Sequence, residues 1–170
     1  MRTATFALFI GIAYLSAGFL GMVPAALMPV PADAPPTQLT VLYGYLLGVF
    51  PVNVLHSAVH LAIGALGVGA WQADHGHGRI TSPKMYARGL AIFYGALAVL
   101  GVIPATNTLF GMVPIHGHDV WLHAGTAALA GYFGWRSENY LERRADVGTD
   151  RREQALPVEH ERRRGHSDRR

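Results

Sequence analysis

The chain has no cysteine, which removes disulfides, thiolate metal sites and cysteine nucleophiles from consideration at once. It is also poor in charge: 15% of its 170 residues are charged, against roughly 25% in soluble domains. Between Thr3 and Trp135 the only acidic or basic residues are Asp33, Asp74, Arg79, Lys84, Arg88 and Asp119. No P-loop, dinucleotide-binding, GxSxG or HExxH pattern is present, so the common soluble-enzyme signatures are missing. What is abundant is apolar sequence, at 51% of residues.

That apolar sequence comes in long runs. About 20 apolar residues cross a hydrocarbon core of roughly 30 Å, and the sequence supplies four such spans, at about 4–23, 51–71, 86–103 and 114–135. The second lies inside a longer apolar stretch, Leu39 to Trp71, where Pro51 must interrupt a helix. A short entry segment before Pro51 and a main crossing after it are expected. Lys84 and Arg88 can snorkel at the start of the third span. Trp71, Tyr86 and Trp135 stand near span ends, where aromatic belts form. The expected fold is all-α, a four-helix transmembrane bundle embedded in a lipid bilayer.

Orientation follows from basic residues. Arg2, Arg79, Lys84, Arg88 and the ten arginines from Arg136 onward all fall on one side of such a bundle, and loops 24–50 and 104–119 have none. The positive-inside rule makes that side cytoplasmic, with both termini inside. The basic pI of about 9.5 therefore reflects topology, and no nucleic-acid partner is expected. Arg2, the first apolar run and Ala25-Ala26 also fit a cleaved leader, but the first span has a counterpart in mid-chain, which favours a retained helix.

The counterpart emerges on self-comparison. At an offset of 80 residues, Tyr14, Leu20, Gly21 and Pro24 coincide with Tyr94, Leu100, Gly101 and Pro104. At an offset of 63, Leu46, Gly48 and Pro51 fall on Leu109, Gly111 and Pro114, His56 falls on Asp119, and His60 on His123. Two tandem hairpins of two helices each, parallel and related by an axis along the membrane normal, are the expected arrangement.

The stretch Gly48-Val49-Phe50-Pro51-Val52-Asn53-Val54-Leu55-His56-Ser57-Ala58-Val59-His60-Leu61, with Asp119-Val120-Trp121-Leu122-His123 later, resembles the bacterial membrane family called domain of unknown function 4383. The carrying patterns are HxxxH after an asparagine or serine on span two, and DxWLH on span four. The resemblance covers roughly residues 4–136 and leaves out the tail. It implies a four-span protein of a bacterial inner membrane, and no particular activity.

His56 and His60 are four residues apart, as are Asp119 and His123, so each pair stacks on one helix face. Ionisable groups in membrane spans usually face the bundle interior with a partner. One reading is an interhelical hydrogen-bond cluster that fixes register. A second is a metal site of His56, His60, Asp119 and His123, a donor set that suits zinc, iron or copper. A third is a haem b held between His60 and His123, and a proton relay is a fourth. On the first reading the protein is a structural, non-enzymatic accessory subunit, with a membrane-protein partner or a second copy. On the others it is a metal- or haem-binding redox or transport component.

Other features read more plainly. His75-Gly76-His77 is a polar turn and only secondarily a weak metal pair. Ala13, Ala17 and Gly21, and Ala127 and Gly131, are small residues at helical spacing, expected at contacts within the bundle. Residues 137–170 are rich in arginine and acid and poor in large apolar side chains, the composition of a largely disordered cytoplasmic tail, with a helical extension to about Arg144.

Overall fold

The computed structural model describes residues 1–77 and 81–136, and the expected tail at 137–170, with its helical extension, lies outside the described residues. Four helices carry the fold: α1 (Thr3–Gly21), α2 (Val54–Asp74), α3 (Pro83–Val102) and α4 (His118–Trp135). Among the described residues α1, α2 and α3 are long and apolar enough to cross a membrane. His118, Asp119 and His123 lower the hydropathy of α4, which has 18 residues.

The burial pattern is that of a bundle in an apolar solvent. Phe9, Phe19, Ile92 and Val99 are all more than 60% exposed. Asn53, Ser57, Asp119 and His123 are almost completely buried. Water would favour the reverse.

The helices associate mainly as two pairs, α1 with α2 and α3 with α4. Glycine makes the first pair close. A Cβ added at Gly64 would lie 2.5 Å from the Leu15 amide nitrogen and 2.7 Å from the Gly11 carbonyl oxygen, so only a hydrogen fits there. The contact face of α1 is therefore Gly11, Tyr14, Gly18 and Gly21. Of the expected small-residue stripe only Gly21 belongs to it; Ala13 is exposed, because it stands one position off the face that Tyr14 and Gly18 define. Between the pairs, Phe6 stacks on Phe133 at 4.6 Å, and the Thr3 hydroxyl donates to the Phe133 carbonyl at 3.2 Å.

Arg88 donates from Nε to the Gly134 carbonyl at 2.9 Å and lies 5.7 Å from the Trp135 ring. It satisfies a carbonyl at the C-terminal end of α4, where a cation also opposes the helix dipole. Tyr86 differs from its expected place in an aromatic belt: it is buried, and its hydroxyl donates to the Ile63 carbonyl at 3.3 Å.

The opposite end of the bundle holds a structure that hydrophobicity alone did not announce. β1 (Leu27–Met28), β2 (Gly44–Leu46) and β3 (Phe50–Val52) form a small antiparallel sheet in the order β1-β2-β3. Pro51 sits in β3, an edge strand, the one place in a sheet where a missing amide proton costs little. The apolar stretch before α2 is thus strand and turn. Leu47 and Gly48 turn the chain with φ of 56° and 71°.

Asn53 then starts α2. Its Oδ1 accepts from the His56 amide at 3.0 Å, and its Nδ2 donates to the carbonyls of Leu39 at 3.1 Å and Met112 at 2.8 Å. One buried side chain caps the helix and ties it to both loops at that end.

Candidate metal centre

Asn53 fixes the first turn of α2, and so the direction of His56 and, one turn on, His60. From the facing side α4 presents Asp119 in its first turn and His123 one turn later. All four side chains are buried, at no more than 4% exposure each.

They converge. The His56 and His60 rings are 4.4 Å apart between centroids, and His56 and His123 are 6.0 Å apart. Asp119 Oδ2 is 3.3 Å from His123 Nε2 and 3.8 Å from His56 Nε2. One ring nitrogen from each of His56, His60 and His123 can be chosen so that all three lie within 4.8 Å of one another. Nitrogens bound to one metal at about 2.0–2.1 Å are roughly 3.5 Å apart, so closing on an ion needs movements on the order of 1 Å.

The cluster is unusual in what it leaves unsatisfied. Both ring nitrogens of His60, both of His123, and Asp119 Oδ2 are buried without a hydrogen-bond partner among the described residues. The 3.3 Å approach of His123 to Asp119 is not aligned as a hydrogen bond. His56 Nδ1 is likewise buried without a hydrogen-bond partner among the described residues. Buried polar groups are nearly always paired. Six orphaned donor or acceptor atoms in one cluster are what a site for an ion or ordered water would present.

Two residues of this neighbourhood escaped the motif-level reading. Tyr14 and Tyr94 stack on each other at 5.0 Å and form one wall of the cluster. Tyr14 lies 4.9 Å from the His60 ring and Tyr94 4.8 Å from the His123 ring, between centroids. The Tyr14 hydroxyl hydrogen-bonds the Thr126 hydroxyl at 2.8 Å. Their signal was present in the repeat, where both tyrosines align, but it read there as periodicity only.

A macrocycle between His60 and His123 would need the volume that Tyr14, Tyr94 and His56 occupy, so the haem arrangement does not fit this packing. His116 is buried in the loop before α4 with its ring 6.4 Å from Tyr45, and burial pushes its imidazole below its ordinary value. His75 is engaged elsewhere: its Nδ1 lies 2.8 Å from the Trp71 carbonyl at the end of α2. An apolar cleft of about 360 Å³ opens between α2 and α3, lined by Val59, Ile63, Leu66, Met85 and Phe93 among others, and none of the four cluster residues lines it.

Comparison with curated proteins and with solved structures finds no match. The model of one family, described as a domain of unknown function and numbered 4383, matches residues 4–136, which include the capping asparagine, the three histidines and the aspartate. The chain belongs to that family.

Proposed function

We propose that this is a small integral membrane protein that binds one transition-metal ion through His56, His60, His123 and Asp119, as a component of a redox or transport process. The observation that carries the reading is the set of orphaned atoms on His60, His123 and Asp119. A purely structural cluster stabilises a bundle through hydrogen bonds made. Here the imidazoles of His60 and His123 make none among the described residues, although they are buried at the centre of the cluster. Imidazole with a carboxylate suits zinc, iron and copper.

The membrane frame belongs to the same proposal. α4 is a fourth crossing, because Asp119, His123 and Thr126 lie on its buried face while Trp121, Leu129 and Tyr132 face outward. Both termini are cytoplasmic in a bacterial inner membrane, and the cluster lies toward the outer leaflet. Two tandem hairpins built from one ancestral unit are supported by backbone as well as side chains. Leu47-Gly48 and Phe110-Gly111, 63 residues apart, both have consecutive positive φ values, a rare conformation outside glycine.

Titration of the chelator-stripped full-length protein with zinc(II), iron(II) and copper tests the reading. One ion should bind per chain, and His123→Ala should abolish it. Absence of binding for all three metals would leave the second reading, an accessory subunit whose cluster only sets helix register, favoured by the close approach of Asp119 to His123.

A further inference from the structure

Among the described residues the site holds one carboxylate, and this limits the charge of its ion. Of the three acids between Thr3 and Trp135, Asp33 lies in the loop after β1, and Asp74 is paired with Arg2 at 3.6 Å at the far end of α2. Among the described residues Asp119 is the one acid at the cluster, beside His56 and His123, and it is 1% exposed. The only basic side chains of α3, Lys84 and Arg88, are in its first turns, and Arg88 is bonded to the end of α4 away from the cluster.

With an ion bound, the histidines that hold it are neutral, and Asp119 gives up its proton to leave a carboxylate with a single negative charge. A monovalent ion makes the assembly neutral. A divalent ion leaves a net positive charge in an apolar interior, where an isolated charge is strongly penalised. From charge and donor set together, we infer that the resident ion is copper(I), held by His56, His60 and His123 with Asp119 as its counter-charge. This rests on the metal reading above and narrows it.

Donor geometry agrees. Copper(I) has a filled d shell and is satisfied by three nitrogen donors in a plane, so it does not need Asp119 as a fourth ligand. The structure offers three ring nitrogens within 4.8 Å of one another. Asp119 Oδ2 stands beside two of these rings, at 3.3 and 3.8 Å, close enough to supply field without having to coordinate. Sodium and potassium are the other monovalent candidates, and both prefer oxygen donors, which three imidazoles do not provide.

The test uses the detergent-solubilised full chain, stripped of metal and kept free of oxygen. Copper(I) is supplied from a chromophoric copper(I) chelator of known affinity, and zinc(II) is measured in parallel by equilibrium dialysis. One equivalent of copper(I) should bind, at least tenfold more tightly than zinc(II). Asp119→Asn should weaken copper(I) at least tenfold, because the neutral amide leaves the ion uncompensated. Zinc(II) binding as tightly as copper(I), or an Asp119→Asn variant that keeps full copper(I) affinity, would overturn the assignment while leaving a metal site standing. Binding of neither ion would overturn the metal reading itself.

Discussion

Replacing His60 with phenylalanine separates the metal account from the hydrogen-bond account by how its effect depends on metal. His60 is 4% exposed and neither of its ring nitrogens has a hydrogen-bond partner among the described residues. Its ring is packed 4.4 Å from His56 and 4.9 Å from Tyr14. Phenylalanine keeps a flat ring in that space and removes both polar atoms. A buried polar group without a partner costs about 1–3 kcal/mol. Overpacking by the larger ring, which costs about 1–3 kcal/mol where a core is full, opposes that gain with a term of the same size.

In metal-free protein the two terms should nearly cancel, leaving His60→Phe within about 2 kcal/mol of the wild type. With metal at a hundred times its dissociation constant the difference should move by about 2.7 kcal/mol in favour of the wild type, since the wild type gains that much and the variant nothing. Denaturant unfolding in detergent, followed by tryptophan fluorescence with chelator and then with metal, reads both numbers. A metal-free variant destabilised by more than about 2 kcal/mol, beyond what overpacking leaves, would show that His60 makes stabilising bonds, and would refute the reasoning.

Three further outcomes follow from other parts of the fold. Gly64→Ala should destabilise by about 1–3 kcal/mol or more, because its Cβ meets backbone of α1, whereas Gly125→Ala, with nothing within 4 Å, should change stability by less than about 1 kcal/mol; equal effects in thermal unfolding would contradict the close α1–α2 contact. Single cysteines at Ala32 and Ala105 should react with an impermeant thiol reagent in intact cells and one at His77 should not; the opposite labelling would reverse the orientation. His116 is neutral in the folded loop and has its pKa lowered by burial, so the unfolded chain takes up the proton first, and stability is lost as pH falls below about 6.5. A His116→Phe variant should lose less stability than the wild type between neutral pH and about pH 5; an unchanged pH profile would refute this contribution.

The helices were legible in the sequence because the bilayer imposes a length, and runs near 20 residues are hard to mistake. α1 begins and ends within two residues of the expected span. α2 begins three residues later than expected, because Asn53 and not Pro51 is the residue whose side chain can cap it. The sheet was hidden by its composition: Gly44–Leu46 and Phe50–Val52 are as apolar as a span, and strands of two or three residues show no alternation.

The cluster was legible through spacing alone, since HxxxH and DxxxH each stack on a helix face. That the two pairs meet depends on how α2 and α4 are arranged, which no local pattern encodes. Tyr14 and Tyr94 belong to the same neighbourhood for the same reason, and their roles became visible only when the two pairs of helices were brought together.

Elemental analysis of the protein purified from membranes without added metal tests the central claim most directly. The account predicts close to one transition-metal ion per chain in the wild type, and its loss in His123→Ala prepared in parallel. A folded wild-type protein that carries no transition metal, and takes none up when it is offered, would contradict it.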